Sequence, residues 1–146
     1  MDRIALQLLD SQHWGRALQI CINDHSLIDL VRKIEQPFAD QEGRPDAAGA
    51  YDWLAGFDCD LLDPSAQEVM VLGCTCGFPD CWPLYCKVER FADHVCWSGF
   101  FNPYRTPKSV SGLDDPAHQQ IVPWNHSGLG SFQFELETYD AALAGL

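Results

Sequence analysis

Leu84-Tyr85-Cys86-Lys87-Val88-Glu89-Arg90-Phe91 and Val95-Cys96-Trp97-Ser98-Gly99-Phe100-Phe101 flank the polar break Ala92-Asp93-His94. Leu84, Cys86 and Val88 recur at every second position, with Arg90 closing the row, and Val95 and Trp97 do the same in the second segment. A period of two places such residues on one face of a strand, so the stretch predicts an antiparallel hairpin with one apolar side.

A second hairpin stands at the start of the chain. Ile4, Leu6 and Leu8 alternate with Ala5 and Gln7, and Leu18, Ile20 and Ile22 repeat the pattern after the turn Asp10–Gly15, near whose tip lie His13 and Trp14. Ser26 then reads as a helix N-cap with Asp29 in a capping-box position. Leu27, Leu30, Val31, Ile34 and Phe38 form the helical stripe, and Pro37 should end or kink the helix near Gln36. Residues 39–66 are poorly periodic, with one short helix expected near 46–55. Glu68–Leu72 reads as a buried strand. Residues 102–131 show no regular element, which marks them as a functional loop or an insertion. Phe132 and Phe134 belong to a last strand, and Thr138–Leu146 to a short Ala-rich helix. Hairpins without regular βα alternation predict the α+β class: an antiparallel sheet built from hairpins, with one longer helix and one short C-terminal helix. Residues 1–146 are expected to form a single domain.

Nine Lys and Arg against 21 Asp and Glu give a formal net charge of −12. Such a field repels phosphate backbones and anionic lipid surfaces, which argues against nucleic-acid and membrane partners; it attracts a basic protein partner or simply keeps the protein soluble, as acidic domains commonly do. Met1-Asp2-Arg3-Ile4-Ala5-Leu6-Gln7 carries charges where a secretory leader has an apolar run, and no apolar run has spanning length. The expected location is the cytoplasm, where thiols stay reduced, and an odd count of seven cysteines fits that better than a disulfide framework.

Four of the cysteines crowd into Cys74-Thr75-Cys76-Gly77-Phe78-Pro79-Asp80-Cys81-Trp82-Pro83-Leu84-Tyr85-Cys86, spaced C-x-C-x4-C-x4-C. Gly77 and Pro79 turn the loop back, so Cys74, Cys76 and Cys81 can converge. Three readings compete. Thiolates at tetrahedral spacing hold zinc, with Cys74, Cys76 and Cys81 as ligands and Cys86, Cys96, His94 or a distant His as the fourth. A close dithiol performs redox chemistry, although Asp80 works against a thiolate and no Lys, Arg or His lies in the loop. Cysteine also packs as a small hydrophobe, and Cys86 belongs in the core beside Leu84 and Val88.

Leu72-Gly73-Cys74-Thr75-Cys76-Gly77 with Cys81-Trp82-Pro83-Leu84 resembles the L-G-C-x-C-G-x3-C-W-P-L box of a family of small uncharacterised bacterial proteins. The likeness extends to Glu35-x-Pro37-Phe38, Ala48-Gly49-x-Tyr51, Trp97-Ser98-x-Phe100-x-Asn102-Pro103-x-Arg105 and Trp124-Asn125-x-Ser127-Gly128-Leu129-Gly130. It resumes at Tyr139-x-Ala141-Ala142-Leu143, departs from the pattern at Tyr104, where a His is expected, and leaves Thr106–Val122 as an insertion. The resemblance implies a trio of Cys74, Cys76 and Cys81, with Cys21, Cys59, Cys86 and Cys96 outside it, and brings no activity.

Nucleotide-binding, zincin and serine-hydrolase motifs are absent. Cys21 with His25, and His94 with Cys96, are close in sequence but read as incidental pairs. The carboxylates Asp58, Asp60 and Asp63, and Asp114-Asp115, read as solvated loops. The function expected is a non-enzymatic, acidic protein-interaction module whose cysteine cluster is a candidate site for structural zinc. The alternative is a metal- or thiol-dependent enzyme centred on the same cysteines.

Overall fold

The computed structural model describes residues 1–11, 15–55, 60–76, 81–110 and 121–146. The expectations for His13, Trp14, Asp58, Cys59, Gly77, Pro79, Asp80 and Asp114-Asp115 lie outside the described residues.

The first hairpin forms as its alternation requires. Strands β1 (Ile4–Ser11) and β2 (Gly15–Ile22) pair antiparallel from Ile4 opposite Ile22 to Ser11 opposite Gly15. Asn23 and Asp24 follow with φ of 52° and 69°. Two successive left-handed residues are the geometry of the tightest hairpin turn, and Asn and Asp tolerate it better than other side chains with a Cβ. The turn leads into β3 (His25–Ser26), paired with Cys21 and Ile22. Ser26 therefore serves as a strand residue: its extended backbone starts the next helix without a side-chain cap, and Asp29 bonds Arg32 Nη1 at 2.8 Å. The expected capping box does not form.

Helix α1 (Leu27–Gln41) buries Leu27, Val31, Glu35 and Ala39. It runs through Pro37, so of the two outcomes expected near Gln36, an end or a kink, the end does not occur. Past the proline, Ala39 is fully buried against Ala48 and Trp124, and Glu42 is tied to Trp124 and Arg105. Those contacts offset the hydrogen bond that Pro37 cannot donate.

The expected helix at 46–55 is replaced by a 3-10 turn (Pro45–Ala47) and two short strands, β4 (Tyr51–Asp52) and β5 (Leu54–Ala55). β5 completes the first sheet against Ala17 and Leu18 of β2. The second sheet has the order β4-β6-β7-β8-β9 and is antiparallel throughout, with β6 (Glu68–Cys74), β7 (Leu84–Arg90), β8 (His94–Phe101) and β9 (Phe132–Glu135). Two bulges shift its faces. One extra residue in β6 lets both Val71 and Leu72 turn inward. One extra residue in β8, admitted by Gly99 at φ +62°, brings Phe100 rather than Gly99 to the side of Val95 and Trp97. A helical turn α2 (Pro107–Val110) and helix α3 (Leu136–Ala144) complete the described elements.

One apolar core joins the sheets: Leu18, Ile20 and Ile22 from the first, Val69, Leu72, Leu84, Cys86 and Trp97 from the second, Leu27 and Val31 from α1, and Tyr139 from α3. Trp97 is fully buried, with Phe134 and Tyr139 set edge-to-face against it and its indole N–H donating to Tyr139 Oη at 3.2 Å. Hairpins and antiparallel sheets with a long helix and a short C-terminal one make the fold α+β. No described helix is long and apolar enough to cross a membrane.

Candidate metal centre

The sheet delivers the cysteines. Cys74 is the last residue of β6 and pairs with Tyr51 of β4, while Leu84 opens β7. Cys76 and Cys81 lie in the connection between these strands. The sulfurs of Cys74, Cys76 and Cys81 lie within 4.8 Å of one another, a group that could hold a metal ion. Cys74 is half-buried and the other two are exposed. Among the described residues, no fourth Cys, His, Asp or Glu joins the group. Hydrogen bonds with Cys76 and Cys74, and then their charge, push the Cys81 thiol up to about 11.

Cys86 stands apart from the trio. It is fully buried beside Leu84 and Val88, and burial, followed by the charge of Cys96, raises its thiol well above the ordinary range. It is a core residue and is no zinc ligand here. His94 and Cys96 also stay outside the trio: His94 stacks on Phe91 and bonds Asp93 through Nδ1 at 2.7 Å. Burial and the charges of Asp24 and Asp29 raise the Cys21 thiol, opposite to the activation a nucleophile needs.

Tyr51, the β4 partner of Cys74, belongs to a buried polar cluster that the spacing did not assign. Glu35 of α1 is wholly buried. Its Oε1 accepts Gly49 N–H at 2.9 Å, and its Oε2 accepts the Tyr51 hydroxyl at 2.5 Å and lies 2.7 Å from His126 Nε2. Gly49 has φ +64°, and a Cβ there would stand 2.5 Å from Arg32 Cβ, so only glycine brings this N–H so close to the helix. Burial, the charge of Glu35 and the bond to it hold the Tyr51 hydroxyl well above its usual range. Tyr51 Oη also accepts Asn102 Nδ2 at 3.2 Å.

Glu42 anchors the neighbouring part. Its Oε1 accepts Trp124 Nε1 at 2.9 Å and Val122 N–H at 3.1 Å, and stands 3.3 Å from Arg105 Nε. The Arg105 guanidinium lies 4.9 Å from the ring centre of Trp82 and 5.5 Å from that of Trp124. Trp82 follows Cys81 directly, so this cation-aromatic stack clamps one end of the cysteine connection to the fold.

Sequence reasoning found the trio because its members are neighbours along the chain. It missed the roles of Glu35, Glu42, Tyr51, Asn102, Arg105, Trp124 and His126. One signal was available: Glu35 lies four residues from Val31 and from Ala39, so it occupies the buried stripe, where an unpaired carboxylate would be costly. Comparison of this chain with protein-family models, curated proteins and solved structures gives no match.

Proposed function

We propose that this chain is a zinc-binding protein-interaction module in which Cys74, Cys76 and Cys81 hold the ion as thiolates. The convergence of the three sulfurs carries the reading. Thiolates bound to tetrahedral zinc at about 2.3 Å lie about 3.8 Å apart, so the trio needs a contraction of at most about 1 Å.

One observation favours zinc over redox chemistry. A thiol pushed up to about 11 is a poor nucleophile at neutral pH. A divalent cation reverses that balance by stabilising all three thiolates together, releasing protons as it binds. The exposure of Cys76 and Cys81 supports a surface site for the ion, with its fourth position open to water or to a side chain of a partner. The net charge of −12 supports a basic protein as that partner, in a cytoplasmic setting, and works against nucleic acid. The likeness to the bacterial cysteine-box family is the kinship we propose with it. The open fourth position is also what a metal-dependent enzyme would use.

Elemental analysis of protein purified without added metal checks the reading. We expect one zinc per chain, with Cys74, Cys76 and Cys81 protected from alkylation until the metal is removed. Cys76→Ser, an exposed change that leaves the core intact, should lower zinc affinity by at least tenfold. Metal-free protein that fails to take up added zinc would refute the site.

A further inference from the structure

We propose, resting on the zinc reading, that the cysteine trio is also an oxidant-operated switch: hydrogen peroxide joins Cys76 to Cys81 as a disulfide and so releases the ion. The geometry that gathers three ligands also gathers a pair able to bridge. The three sulfurs lie within 4.8 Å of one another, and a disulfide brings two of them to about 2.05 Å. Cys76 and Cys81 are both exposed, so peroxide reaches their sulfurs and no core packing opposes the rotation that closes the gap. Cys86, by contrast, is wholly buried and out of an oxidant's reach.

The chain selects the pair. Cys74 is half-buried, and its backbone is paired with Tyr51 at the end of β6. Only Thr75 separates it from Cys76, and so short a ring forces a bridge off its preferred geometry and strains it. Cys76 and Cys81 enclose four residues and lie outside both β6 and β7. Pairing of β4 with β6 fixes one end of the connection, and the stack of Arg105 on Trp82 and Trp124 fixes the other. Zinc has no redox chemistry of its own, so both electrons come from sulfur. One bound thiolate attacks the peroxide, the O–O bond breaks, the sulfur becomes a sulfenic acid, and the departing hydroxide takes a proton to leave as water. The second thiolate attacks the sulfenic sulfur. The S–S bond forms, the S–O bond breaks, and a second hydroxide is protonated to water. Two thiolates, one peroxide and two protons thus become one disulfide and two waters. Cys74 alone then faces the ion, which dissociates, and the open fourth position goes with it. A dithiol reductant reverses the step, its own thiols ending as a disulfide.

The test uses the full zinc-loaded chain, with its zinc content measured first. An equimolar amount of hydrogen peroxide is added near neutral pH. A metallochromic indicator follows zinc release, and peptide mass spectrometry maps the bridges. One zinc should leave for each bridge formed, the bridge should join Cys76 to Cys81, and dithiothreitol with added zinc should restore the starting content. Zinc retained while the peroxide is consumed overturns the switch. So does release with sulfinic acid and no bridge, a bridge through Cys74, Cys86 or Cys96, or a zinc content that dithiothreitol does not restore. Protein that carries no zinc before the oxidant sinks the metal reading and the switch together, whereas zinc present at the start and kept after oxidation sinks the switch alone.

Discussion

Glu35 shows how one residue can organise a region. A carboxylate taken from water is tolerated only when its oxygens are occupied, and here a backbone N–H, a phenol and an imidazole occupy them. Those partners lie 14, 16 and 91 residues away along the chain. That is why the residue looked like an ordinary helix glutamate, whereas cysteines two and five residues apart announced their cluster. Replacing Glu35 by Ala leaves the Tyr51 O–H and His126 Nε2 without the carboxylate that partners them, and should lower unfolding stability by about 3–5 kcal/mol. Glu35→Gln keeps the shape and part of the bonding and should cost less. Urea unfolding measures both, and a loss below about 1 kcal/mol for the alanine variant would show that Glu35 does not organise the cluster.

At the level of elements, periodicity was a good guide to strands and a weaker one to boundaries. The hairpins at 4–22 and 84–101 form because alternation with turn chemistry is a local property. The bulges in β6 and β8 were not legible, since an extra residue is defined only against the partner strand. The short strands β4 and β5 are likewise too brief to carry a period and exist by pairing with β6 and β2. Helix α1 is the clearest departure, because packing of Ala39 and Glu42 carries it past Pro37. Pro37 is exposed and keeps the α-helical register at a local cost. Pro37→Ala restores a backbone donor and should therefore stabilise the protein by about 1–2 kcal/mol, read as a higher Tm; a lower Tm would mean that the helix depends on the ring.

At the scale of the entire fold, two sheets, α1 and α3 share a core that holds one phenol and one thiol in their neutral forms. Tyr51 and Cys86 both lose protons less readily in the folded chain than in the unfolded one. Unfolded thiols titrate near about pH 8.5 and phenols near about 10. Above those values the unfolded chain holds fewer protons than the native one, so stability falls as pH rises, by up to about 1.4 kcal/mol per pH unit for each such proton. Below about pH 8 their contribution is fully present. Denaturant unfolding between pH 8 and 10.5 should show this decline, and Cys86→Ala should make it shallower. An identical slope in that variant would mean that Cys86 does not contribute.

The sequence by itself determined the α+β class, the hairpins, the acidic balance and the cysteine trio, because each is written in neighbouring residues. Only the tertiary structure decided that α1 outlasts its proline, that β6 and β8 carry bulges, and that Glu35, Tyr51 and His126 meet. Those outcomes depend on the desolvation and pairing of groups far apart in the chain. The free energy of a buried carboxylate or thiol is set by what surrounds it, and spacing along the chain does not record that.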